Sequence, residues 1–248
     1  MCKAHNGNHF GDKIQSSGQF PYSSQHMTIT HDDIITTVEN FIHKSSPEDR
    51  FSSFDYCYNY FRLTRPYDLI SNSEMSCLTL GFYLASWGML RGSSFLLGKS
   101  VKYFHPTIEY IASLDRSVWT IDVDTYTDEN IQKIIAIYSG IKGTLIQNRQ
   151  SDVTLITKVL LGVFGFIPAF DQYFCNTFRA IFKMENAGFR RINEKSLTLI
   201  KLFYAQYHLP IDELANSTFT TDFKSGLKTN INYPKAKIID MYGFSARS

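Results

Sequence analysis

The chain has 248 residues, of which 44% are hydrophobic, 15% aromatic and 19% charged. With only 7 Pro and 14 Gly it is neither a collagen nor a coiled coil, and so much apolar mass excludes disorder along most of the length. The formal charge of +2 hides an asymmetry: residues 1–130 carry ten basic against fifteen acidic side chains, residues 131–248 fifteen against eight. That division suits a chain whose second half meets a polyanion.

Taken in chain order, residues 1–29 are rich in Ser, Asn, Gln, Gly and His and hold too few hydrophobes to pack. They read as a flexible tail, with no apolar run of the signal-peptide kind and with His5 and His9 solvated rather than holding a metal. Residues 30–248 read as a single helical domain. Thr30-x-x-Asp33 is a capping box before the stripe Ile34, Ile35, Val38, Phe41 and Ile42. Ser46-Pro47-Glu48-Asp49 marks a second helix start, ahead of Phe51, Phe54 and Tyr58. The stretch Cys77 to Leu97 is long enough to span a membrane. Its serines and glycines dilute it and no basic cluster flanks it, so it is predicted as a central core helix that begins at Asn72 or Ser73. Further helices are predicted over His105 to Leu114, from a Thr127 cap through Ile131, Ile134, Ile135, Tyr138, Ile141 and Leu145, and over Val153 to Phe164. Asp171 to Phe182, Asn193 to Tyr207 and a short helix near Lys235 to Met241 complete the series. Extended segments are expected only at Val118 to Val123 and Phe219 to Phe223, and no βαβ rhythm or repeat appears. The predicted fold is all-α, a compact bundle of roughly eight helices.

Cys2, Cys57, Cys77 and Cys175 lie far apart, with no C-x-x-C pair. A core of this size needs no disulfide framework, so reduced thiols and a cytoplasmic protein are expected. Phosphate-loop, dinucleotide, zinc-protease and serine-hydrolase signatures are all absent. The acidic run Asp122, Asp124, Asp128, Glu129 superficially resembles a calcium loop. Counted from Asp122, however, Thr127 stands where the tight turn needs Gly and Lys133 where a bidentate Glu is needed. A solvated loop and helix start account for it, and no metal or organic cofactor is expected.

Three features carry candidate chemistry. Arg91 falls inside the predicted apolar helix and must either pair with a carboxylate or helix-end carbonyls, or face an anion on a cleft wall. Between Thr157 and Gln172 a helix ends at Gly162 and Gly165, Pro168 forces an extended turn, and Asp171 opens the next helix. Asp171 reads as an N-cap. It also reads as an ionised carboxylate held by free amides and the helix dipole, able to stabilise a cationic, oxocarbenium-like sugar. Finally, Arg179, Lys183, Arg190, Arg191, Lys195 and Lys201, followed by Lys224, Lys228, Lys235 and Lys237, are spaced to track phosphates. Phe189, Tyr204, Tyr207 and Tyr233 are near enough in sequence to stack on an extruded base; a solvated basic surface with core aromatics is the alternative.

The run of helix, Thr157-Lys158-Val159, a break, Pro168 and a helix-capping Asp171 resembles the core of helix-hairpin-helix DNA glycosylases. The resemblance implies base excision on a flipped nucleobase, with Asp171 as catalytic aspartate and Lys158 as a Schiff-base lysine. Arg91, Arg179, Lys183, Arg190 and Arg191 would then grip DNA. The other reading is a non-catalytic helical module that docks on nucleic acid or an acidic protein. Neither reading needs a membrane, and neither fixes an oligomeric state.

Overall fold

The computed structural model describes residues 29–147, 151–185 and 187–246. The expected tail, apart from Ile29, lies outside them, as do His5, His9 and Cys2. Among the described residues the fold is mainly all-α, with eleven α-helices where roughly eight were expected, and one two-stranded hairpin. The additional helices include α3 (Pro66–Ser71) and α10 (His208–Ser217), whose starts carry no capping side chain that the sequence could advertise.

Helix α1 (His31–His43) starts at the predicted capping box, with the Asp33 amide bonded to Thr30 Oγ1 at 3.1 Å and the Thr30 amide to Asp33 Oδ2 at 2.8 Å. The second capping signal makes a turn instead. The Ser46 amide donates to Asp49 Oδ2 at 2.9 Å, and helix α2 (Ser53–Leu63) follows a short 3-10 turn at Arg50–Ser52. The predicted helix to Leu97 is shorter too. Helix α4 (Ser73–Ser86) stops at Trp87 because Gly88 and Gly92 take φ of +76° and +58°, a left-handed backbone that only glycine adopts cheaply. Nor is α4 central: it buries Cys77, Leu80, Tyr83 and Leu84 and leaves Met75, Leu78 and Phe82 exposed. Val118 to Val123, expected to be extended, lies in and between 3-10 turns.

Helix α5 (His105–Ser113) packs on α3 and on α6 (Asp128–Leu145), the latter capped by Thr127 as predicted. The centre belongs to α7 (Val153–Phe164) and α11 (Lys235–Ser245). Every residue of α7 from Leu155 and every residue of α11 from Ala236 to Gly243 is buried. Helices α2 and α4 pack on α7, while α1 and α8 (Gln172–Ile181) pack on α11. Helix α9 (Glu194–Gln206) lies near α6 and α10. Strands β1 (Phe219–Thr221) and β2 (Lys228–Asn232) pair antiparallel with a bulge, so the expected segment at Phe219 does find a partner. Buried Asp55 of α2 anchors this hairpin through the Thr221 amide at 2.8 Å and the Tyr233 hydroxyl at 2.6 Å. Cys57, Cys77 and Cys175 are free and buried. Among the described residues no helix is long and apolar enough to cross a membrane.

Candidate anion-binding cleft

The turn between α8 and α9 builds an open concavity beside the basic residues. Phe189 takes φ +45°, a conformation that costs an aromatic residue about 1–2 kcal/mol. Burial offsets that strain. The ring sits among Phe170, Phe174, Phe178 and Phe182, and the Phe189 carbonyl accepts from Cys175 Sγ. With Phe189 turned inward, Arg190 and Arg191 on its far side are exposed.

Together with Arg179, Lys183 and Lys195 they line an open cleft of about 610 Å³, floored in part by Phe182 and Phe189. Arg179 is held by its own Nε, which donates to the Gly188 carbonyl at 2.6 Å. Lys195 Nζ lies on the Glu185 carbonyl and 3.7 Å from its carboxylate. No ion pair or hydrogen bond among the described residues engages the side chains of Lys183, Arg190 or Arg191. Asn193 and Ser196 bring the N-terminal turn of α9 to the same cleft, their reciprocal capping bonds being 2.9 and 3.1 Å. The positive end of a thirteen-residue helix thus adds to five cationic side chains.

The other predicted centre is placed elsewhere. Asp171 is the N-cap of α8, its Oδ1 accepting from the Tyr173 and Phe174 amides at 3.0 Å each. Its Oδ2 accepts from Lys158 Nζ at 3.1 Å, and the Lys158 side chain is only 4% exposed. That ammonium also lies 4.9 Å from the Trp87 ring centre. Neither residue lines the basic cleft. The segment from Gly165 to Phe170 is buried throughout and runs through the core. Several of its backbone groups find partners in distant elements, with the Phe166 carbonyl accepting from Tyr126, the Ala169 amide donating to Asp240 and the Phe170 amide donating to Thr157.

Arg91, expected within an apolar helix, is exposed in the turn after α4 and does not line the cleft. Two further lysines assigned to a phosphate track are engaged within the protein. Lys235 bridges Asp124 at 2.6 Å and Asp212 at 3.1 Å. Lys237 is buried, paired with Asp240 at 2.8 Å and placed 4.8 and 5.0 Å from the Phe54 and Trp87 rings. A Lys three residues before an Asp inside an otherwise apolar helix was the available signal for that pair. Tyr207 is buried, Tyr233 is half-buried with its hydroxyl donating to Asp55, and Tyr204 bonds to Asp212, so these rings do not form an exposed stacking face.

Of the acidic run, Asp124, Asp128 and Glu129 are exposed and the last two open α6, as expected, whereas Asp122 is engaged inside the fold. Asp122 accepts from the Lys235 amide at 2.7 Å and the Ala236 amide at 2.9 Å, capping α11 from across the chain. Desolvation pushes its carboxyl up to about 6, although those amide bonds and one from Val123 pull the other way. Among the described residues no group of three or more His, Cys, Asp or Glu could hold a metal ion. Comparisons with protein-family models, curated proteins and solved structures found no match.

Proposed function

We propose that the chain is a non-catalytic binding module whose cleft between α8 and α9 receives the phosphates of a nucleic acid. The observation that carries this reading is the convergence of Arg179, Lys183, Arg190, Arg191 and Lys195 on one open concavity, with three of those side chains unpaired among the described residues. Cationic groups left without partners, next to a helix N-terminus, favour a polyanion. The half-buried Phe182 in the lining favours nucleic acid over an acidic peptide, because a ring beside a phosphate track gives a base or sugar an apolar face. Base excision by Asp171 and Lys158 draws less support. Both Asp171 oxygens are engaged, and the pair stands apart from the lining of the cleft.

The test is fluorescence anisotropy of labelled single-stranded and duplex oligonucleotides across a salt series. Engagement of about four phosphates gives a log–log slope near −3 to −4. Reversing Arg190 and Arg191 to glutamate should weaken binding to all sequences alike and flatten that slope by roughly 2. Absence of binding at low salt, or binding indifferent to the double reversal, overturns the proposal. Tighter capture of polyglutamate than of oligonucleotide supports the acidic-protein partner instead. Release of free base from damaged duplexes, lost in Asp171→Asn, would restore the glycosylase.

A further inference from the structure

Helix α4 has an apolar face that nothing in the described fold covers. Its sequence, SEMSCLTLGFYLAS, carries a single charge and spreads its apolar residues around the axis rather than on one face, a pattern that belongs to helices packed on more than one side. Yet Met75, Leu78, Phe82 and Ala85 are exposed. Their spacing of three, four and three residues is the seam by which two helices pack side by side at a small angle. Helix α3 joins α4 through Asn72 alone and packs against it, and it adds exposed Tyr67 and Ile70, with Leu63 at the end of α2.

We propose that this face is the interface of a symmetric homodimer, with α4 packed antiparallel against α4 of a second copy. Three observations select a second copy over other occupants. The first is complementarity. An antiparallel pair crossing at residue 80 places Leu78 opposite Phe82 and Met75 opposite Ala85, so a large side chain meets a smaller one at each level, as an isologous contact requires.

The second is area. Leu63 is 70% exposed, Tyr67 78%, Ile70 40%, Met75 48%, Leu78 42% and Phe82 68%. At about 200 Å² per fully exposed large side chain these offer roughly 700 Å², close to the ~800 Å² that each partner contributes to a stable complex.

The third is charge. Glu74 is the one charged residue of α4, and the same register sets it opposite Ser86, some 18 Å along the axis from its own symmetry mate. Neither helix carries a lysine or arginine, and the cation beside them, Arg65, is paired with Asp68 at 2.6 Å, so the face has no cluster of free cations to hold it on an anionic membrane.

Sedimentation equilibrium of the full chain at low and high micromolar concentrations tests this. The expected mass is twice 28.5 kDa. Phe82→Glu, at an exposed position that leaves the circular dichroism spectrum unchanged, should weaken association on the order of 100-fold, because it acts twice in a symmetric interface. Leu78→Lys should weaken it similarly. A mixture of the two variants should regain the dimer, since the antiparallel register pairs the introduced lysine with the introduced glutamate at one contact and leaves Phe82 against Leu78 at the other. A monomer at high micromolar concentration, a dimer insensitive to Phe82→Glu, or a mixture that fails to re-associate overturns the proposal. Cosedimentation of monomeric wild type with uncharged lipid vesicles, lost in Phe82→Glu, overturns it in favour of a lipid surface.

Discussion

Replacing Asp171 with asparagine separates a helix cap from the partner of a buried charge. As a cap alone, asparagine serves about as well as aspartate, and the change should cost well under about 1 kcal/mol. The structure adds a second consequence. Lys158 Nζ is 3.1 Å from Asp171 Oδ2, and its side chain is 4% exposed. Removing one member of a buried pair costs about 3–5 kcal/mol, because the other charge stays in a medium that cannot solvate it. The amide oxygen still accepts from the ammonium, which returns about 1 kcal/mol, and the Trp87 ring face remains beneath it. Asp171→Asn is therefore expected to lose about 2–4 kcal/mol, a fall in Tm of roughly 4–16 °C for a chain of this length. Lys158→Met should lose less, about 1–2 kcal/mol, since Asp171 keeps two amide bonds and a side chain that is 14% exposed. Urea denaturation of both single variants and the double variant closes the cycle, with an expected coupling near 2 kcal/mol. Strict additivity, or an Asp171→Asn midpoint within about 0.5 kcal/mol of wild type, would refute this account of the pair.

Asp122 titrates near 6 in the folded chain, chiefly through desolvation, against about 3.9 unfolded, so the folded state holds the proton more tightly. Its contribution to stability is full below about pH 4 and is lost as pH rises through about 6, by up to ~3 kcal/mol. The difference in urea midpoint between wild type and Asp122→Asn should shift accordingly between those pH values, and a shift of opposite sign refutes the assignment. A Cβ at Gly162 would lie 2.3 Å from the buried Tyr83 ring, which its hydroxyl bond to the Lys158 carbonyl holds in place. Gly162→Ala should therefore cost about 1–3 kcal/mol or more. Gly143→Ala, with nothing within 4 Å of its added carbon, should gain up to about 1 kcal/mol from helix propensity; thermal melts of the two separate steric from backbone effects. Arg91→Ala should change stability by less than about 0.5 kcal/mol, because the side chain is exposed. A large loss there would mean a buried partner.

Local signals fixed much of the secondary structure. The capping residues Thr30, Thr127, Asp171 and Asn193 each open the helix their sequence context predicted, because a cap acts over three residues and needs no distant partner. The apolar run of α7 and the clustering of Arg179, Lys183, Arg190 and Arg191 in one short segment were equally legible, since neighbours in sequence separated by a tight turn remain neighbours in space. The same local reasoning failed wherever a distant group changed the meaning of a residue. Lys237 looked like a surface cation until α11 became central and Asp240 took it up. Asp122 looked solvated, yet it caps a helix more than a hundred residues away. Nor does any local signal announce that Lys158 and Asp171 pair at 3.1 Å with the Trp87 ring beside the lysine, because that contact depends on the packing of α4 against α7. Composition and periodicity report which faces are apolar and which residues carry charge. Which charges reach solvent, and which are spent inside the fold, is decided by the desolvation that long-range packing imposes, and only the tertiary structure contains that.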